Sequence, residues 1–129
     1  MTNEEKIDHW ISYAEYDKDT TKAMLDSNRY FYVVITAQQV MEKLLKAYYI
    51  KIKGKEPPRT HDIVRLSKEL NVNFSEEQLN LFDKLFIYYH KQRYPDYIRK
   101  YNEEITKDIA SDIYKNFDEV YKWLLSQMK

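Results

Sequence analysis

The chain of 129 residues has no cysteine, one glycine, three prolines and no net formal charge, its 21 basic residues matching 21 acidic ones. Each scarcity removes a class of protein. Without cysteine there is neither a disulfide framework nor a thiolate metal site. So little glycine and proline leaves few tight turns and no glycine-rich loop to cradle a phosphate, since Gly54 stands alone. Balanced charge argues against a broad basic field that grips nucleic acid. No apolar run approaches the roughly 20 residues of a membrane span. The start, Met1-Thr2-Asn3-Glu4-Glu5-Lys6, lacks the apolar core of a signal peptide, so the expectation is a cytoplasmic protein without membrane contact.

What remains is helical material. Hydrophobic residues make up 43% of the chain, enough for a core in a single domain spanning residues 1–129. Thr2 and Glu5 form a capping box for a first helix reaching Asp26, with Ile7, Trp10/Ile11, Ala14, Thr21 and Met24/Leu25 facing inward. A second helix is predicted from Tyr30 to Lys53, stopped by Gly54. It carries two apolar stripes. One is Tyr30, Val33/Val34, Ala37, Val40/Met41, Leu44 and Tyr48; the other is Phe31, Ile35, Gln38, Glu42, Leu45 and Tyr49. Two stripes imply packing on two sides, the second against another helix of the chain or against a second subunit. Gln38 and Glu42 lie mid-stripe and need hydrogen-bond partners there.

Thr60 is predicted to cap a short helix from His61 to Leu70. Ser75 and Gln78 box the start of a helix reaching Gln92 or Arg93, and Thr106 caps a last helix bearing Ile109, Ile113, Phe117, Val120 and Trp123/Leu124. Tyr97 to Glu104 reads as irregular. The predicted fold is all-α: an antiparallel up-and-down bundle of four long helices plus one short one.

Candidate functional residues are polar intrusions into this pattern. Leu79, Phe82, Phe86 and Tyr89 recur at helical spacing, and Arg93 follows on the same face before Pro95 forbids continuation. A guanidinium on a core face needs a partner or a wet cleft. Asp17 interrupts the stripe of the first helix in the same way. Two readings stand open: Arg93 pairs with Asp17 or Asp96 in one polar cluster, or it caps its own helix and bonds Asp96 locally. Lys43 to Arg59 holds six basic residues against Glu56 alone, a solvated helix end and loop or a phosphate patch. The three histidines stand on separate elements without carboxylates at ligand spacing, so neither a metal nor another cofactor is expected.

Taken together, Trp10, Ala14 and Asp17, the run Gln38-Gln39-Val40-Met41-Glu42-Lys43-Leu44-Leu45-Lys46-Ala47, the loop residues Gly54, Pro57-Pro58, Thr60-His61-Asp62 and Leu66, and Arg93-Tyr94-Pro95-Asp96 resemble the HEPN domain family in its small prokaryotic stand-alone branch. The resemblance spans nearly the whole chain. It implies a helical homodimer with a cleft comprising Arg93, Tyr94, Asp96 and Asp17, a nucleotide or RNA as ligand, and a minimal nucleotidyltransferase as partner in a toxin–antitoxin-like pair. The second stripe, Phe31, Ile35, Gln38, Glu42 and Tyr49, stands as an intrachain packing face or a dimer interface, and the resemblance implies Tyr94, Tyr97 and Tyr101 as acceptors of a transferred nucleotide. Many HEPN domains are metal-independent ribonucleases with a histidine after four to six residues beyond an arginine. Here those positions after Arg93 hold Ile98, Arg99 and Lys100. The missing imidazole favours a binding and regulatory module over an enzyme. Two alternatives stand beside it: a ribonuclease in which His90 or His61 substitutes, and a structural interaction domain whose site has decayed.

Overall fold

A computed structural model describes residues 1–129. Six helices follow in order: α1 (Asn3–Asp26), α2 (Tyr30–Lys53), α3 (Ile63–Glu69), α4 (Glu76–Lys91), α5 (Pro95–Glu104) and α6 (Lys107–Gln127). No strand is present and no helix is long and apolar enough to cross a membrane. The four long helices are those read from periodicity, and both capping boxes are formed with side chain and backbone exchanged. Gly54 ends α2 in the left-handed region at φ 68°. Asn28 and Asn71 take the other two left-handed turn positions.

The centre of the bundle is α2, which packs against all five other helices and buries 16 of its 24 residues. Its neighbour α1 buries only Ala14, Asp17 and Thr21 and covers α2 as an outer layer. The pair runs antiparallel: Asn3 donates to the Gly54 carbonyl at 3.2 Å, Lys6 pairs with Glu56, and Asp17 pairs with Lys43. Phe82, Leu85, Phe117 and Leu124, from α4 and α6, close the far side of the core.

This packing decides between the two readings of the second stripe. Phe31, Ile35, Gln38, Glu42 and Tyr49 are all at most 8% exposed within one chain. They are therefore covered by the protein's own helices, the first of the two readings of this stripe.

Two local expectations also change. The stretch Tyr97 to Glu104, read as irregular, belongs to α5. Pro95 stops α4 but also starts α5 at its first turn, where its missing N–H costs nothing and Asp96 faces the helix dipole favourably. The bundle thus has two short helices rather than one. At α3 the cap is Asp62, whose Oδ1 accepts from the Val64 and Arg65 amides at 3.0 and 3.1 Å. Thr60 supports Asp62 from outside by accepting its amide, and the helix begins two residues later than expected.

A three-membered ion cluster ties α1 to α6: Asp118 lies 2.9 Å from Lys18 and 3.0 Å from Lys122. Burial pushes the Asp118 carboxyl up, and the two ammonium groups more than offset it, leaving it below its ordinary value. A carboxylate held down in the folded state contributes stability above its unfolded value and loses it as pH falls through the folded one. Asp118→Asn should therefore cost about 1 kcal/mol at pH 7, and nothing once the wild-type carboxyl is protonated. Urea unfolding of both proteins at neutral pH and in acid beyond the carboxyl's titration checks this; a pH-independent difference contradicts it.

Candidate functional site

The site begins with the polar residues of the buried stripe on α2. Gln38, Glu42 and Lys46 are spaced four apart, so they share one helix face. They are 0%, 8% and 8% exposed. All three are arranged around one residue of the α2–α3 loop. Gln38 Nε2 donates to the His61 carbonyl at 2.8 Å, and Glu42 Oε1 lies 2.9 Å from His61 Nδ1. Lys46 Nζ donates to the other Glu42 oxygen at 2.9 Å and lies over the Trp10 ring at 5.4 Å. A carboxylate can only accept, so the imidazole proton shared with it resides on Nδ1. In the neutral ring that tautomer leaves Nε2 as the free nitrogen of a side chain that is 68% exposed.

His61 lies between two cavities. One, of about 420 Å³, is lined by Thr60, His61, Asp62, Tyr89, His90 and Arg93, with Phe86 and Gln92. The other, of about 380 Å³, lies towards Trp10, Lys46 and the Glu56–Thr60 loop with its Arg59. The largest cavity, about 560 Å³ between α4 and α6, contains neither histidine nor arginine. Chemistry therefore selects the smaller cavity that holds His61, His90 and Arg93.

Arg93 stands in the turn between α4 and α5, past the last helical residue Lys91. Its side chain is solvent-exposed, so the turn frees the guanidinium from the core face that α4 would have given it. One guanidinium nitrogen is 3.4 Å from both ring nitrogens of His90, a packing of guanidinium on imidazole rather than a bond to one nitrogen. The guanidinium carbon lies 5.4 Å from the centre of the Tyr94 ring. His90 packs on Phe86 at 5.7 Å, and His61 on Tyr89 at 5.8 Å. Burial, aided by the negative charge of Glu42, pushes the Tyr89 phenol above its ordinary value. Tyr89 is thus a neutral donor across the physiological range.

The structure separates Asp17 from this group. Asp17 is 9% exposed and is neutralised by Lys43, itself 3.9 Å from the Tyr13 ring centre. Neither Asp17 nor Asp96 forms an ion pair with Arg93. The single cluster of Asp17 and Arg93 is therefore replaced by two: a structural pair joining α1 to α2, and an open cleft with Arg93, His90 and His61. Asp96 and Tyr94 are exposed next to Arg93, outside the cavity lining. No three histidine, aspartate or glutamate side chains converge in a metal-binding arrangement.

Lys46 and Tyr89 belong to the site although the sequence did not single them out as such. The signal for Lys46 was available: it continues the polar spacing of Gln38 and Glu42 by one turn. Of the three tyrosines near Arg93, Tyr94 and Tyr97 are 47% and 39% exposed, whereas Tyr101 is buried and cannot accept a group in this state.

The Glu42–Lys46 pair can be tested without knowing a ligand. Glu42→Gln leaves a buried ammonium without its counter-charge and should cost about 3 kcal/mol. Adding Lys46→Met should recover part of that loss in denaturant unfolding. Additive losses would show that the two charges do not act as a unit.

The HEPN domain model matches residues 7–127 of the chain. A crystal structure of TT1696 from Thermus thermophilus superposes with a TM-score of 0.79 at 20% identity, covering 94% of this chain and 97% of the other. A crystal structure of ST0689, an archaeal HEPN homologue, superposes with a TM-score of 0.75 at 26% identity, covering 95% and 98%. No curated protein matches the chain by sequence.

Proposed function

Because the chain belongs to the HEPN domain family, we propose that it is a binding and regulatory module whose cleft takes a phosphate group of a nucleotide or RNA. In this reading it works in the cytoplasm as a homodimer with a minimal nucleotidyltransferase, in a toxin–antitoxin-like pair, and Tyr94 and Tyr97 are the accessible tyrosines for nucleotide transfer. The observation that carries the reading is that the end of α4, with His90 and Arg93, and the α2–α3 loop, with His61, meet at one open cavity. Arginine's planar fork suits phosphate oxygens, and imidazole nitrogens add directed contacts. Asp62, the one acidic residue of the lining, has its Oδ1 engaged by the first two amides of α3, which offset part of its charge.

One observation favours a second reading, a metal-independent ribonuclease with a displaced histidine. His61 and His90 line the same cavity as Arg93, and the tautomer imposed by Glu42 frees the His61 Nε2 for proton transfer. Cleavage by a 2′-hydroxyl needs a proton acceptor, a proton donor and a positive charge near the phosphorane. The three side chains supply that set of groups.

Calorimetric titration with adenosine monophosphate tests the first reading. Loss of a charge-assisted contact predicts about a 10- to 100-fold weaker Kd for Arg93→Ala; equal affinity, or no binding by the wild type, contradicts it. Incubating RNA with both proteins tests the second, which requires cleavage by the wild type and none by the variant.

A further inference from the structure

Beyond the cleft, a set of aromatic rings runs from the core to the surface. Phe31 and Tyr101 stack at 6.4 Å between ring centres and 13° between planes; Tyr101 and Tyr97 stack at 5.8 Å and 20°. Tyr88 packs edge-on against Tyr101 at 4.7 Å and 88°, which fixes the middle ring. Exposure rises along the column, from 4% at Phe31 and 7% at Tyr101 to 39% at Tyr97. Tyr94 meets Tyr97 edge-on at 6.2 Å and 73°, outside the stack, and is 47% exposed. The rings of the core therefore hold Tyr97 in a set orientation while leaving it in contact with water.

Positive charge accompanies the exposed end. The Lys91 ammonium lies over the Tyr97 ring at 5.2 Å, and Arg93 over Tyr94 at 5.4 Å. Between Tyr88 and Tyr101 the chain has Lys91, Arg93, Arg99 and Lys100 against one acid, Asp96, although the whole chain is neutral. An exposed ring held from behind and a second exposed ring beside it, each with a flexible cation above it, match bases and phosphates of a single strand. A duplex keeps its bases stacked on one another and cannot use such rings.

We propose that Tyr97 and Tyr94 form a stacking platform for bases of a single-stranded nucleic acid. Arg93 joins this platform to the cleft, since it lines the cavity and lies over Tyr94. A strand with one phosphate in the cleft lays its neighbouring bases on Tyr94 and Tyr97, and Lys91 moves from the ring to the backbone. The link to the cleft rests on the phosphate reading above.

The test is fluorescence anisotropy of the full chain with labelled eight-nucleotide single strands of RNA and of DNA, and with a duplex of the same sequence. Adenosine monophosphate binding is measured in parallel. The wild type should bind the single strands at least about tenfold more tightly than the duplex. Tyr97→Ala should weaken single-strand binding about 5- to 100-fold, Tyr97→Phe should stay within about twofold, and neither should change the affinity for the mononucleotide. Preference for RNA over DNA, or its absence, identifies the strand and supports the platform either way. Equal affinity of Tyr97→Ala and wild type, or equal binding of duplex and single strand, overturns it. Sedimentation showing that Tyr97→Ala only abolishes self-association assigns the rings to a second copy and overturns it as well. Failure of mononucleotide binding together with Tyr97-dependent strand binding rejects the cleft reading alone.

Discussion

A carboxylate and an ammonium buried side by side on the central helix are the constraint on which the arrangement of this protein depends. Moving such a pair out of water costs several kcal/mol per ion, and their attraction recovers that only in good geometry. Glu42 meets the condition by using both oxygens, one for Lys46 and one for His61. Gln38 adds a bond to the His61 backbone, while its own Oε1 is buried without a donor, a deficit of about 1–3 kcal/mol. A core optimised for stability alone would have apolar residues at these three positions. Their combined effect is to hold one exposed imidazole in one tautomer beside Arg93.

The rest of the fold supports that placement. Packed against all five other helices, α2 gives the polar stripe a rigid base, and Asp62 fixes where α3 begins and so where His61 must lie. Pro95 separates α4 from α5 and leaves Arg93 in the turn, exposed beside His90. The ion pairs that do stabilise packing, Asp17 with Lys43 and Asp118 with Lys18 and Lys122, lie away from the cleft and join α1 to its neighbours. The charges that join helices and the charges that line the cleft are thus different sets.

Most of the helical framework was legible in the sequence because its signals are local. Thr2 with Glu5, Ser75 with Gln78, and Gly54 each declare a helix end within four residues. The need of Gln38 and Glu42 for partners was equally legible, since a polar residue in an apolar stripe cannot be left unpaired. The identity of the partner was not. His61 lies 19 residues from Glu42, and only the path of the α2–α3 loop brings them together. The same limit left the partner of Asp17 open, since its counter-ion comes from α2 across an interface that periodicity does not register. Helix α5 was missed because Pro95 was read as an end and not also as a beginning; the spacing of Tyr94, Tyr97 and Tyr101, three and then four residues, was the signal for it.

The central claim is that α2 presents His61 to a ligand in one defined state. Two-bond proton–nitrogen correlation NMR of the histidine rings measures this directly. A proton on Nδ1 of His61 in the free protein, with the Nε2 resonance moving on addition of adenosine monophosphate, is the predicted result. Rapid exchange between the two tautomers, or an Nε2 resonance indifferent to saturating nucleotide, would contradict it.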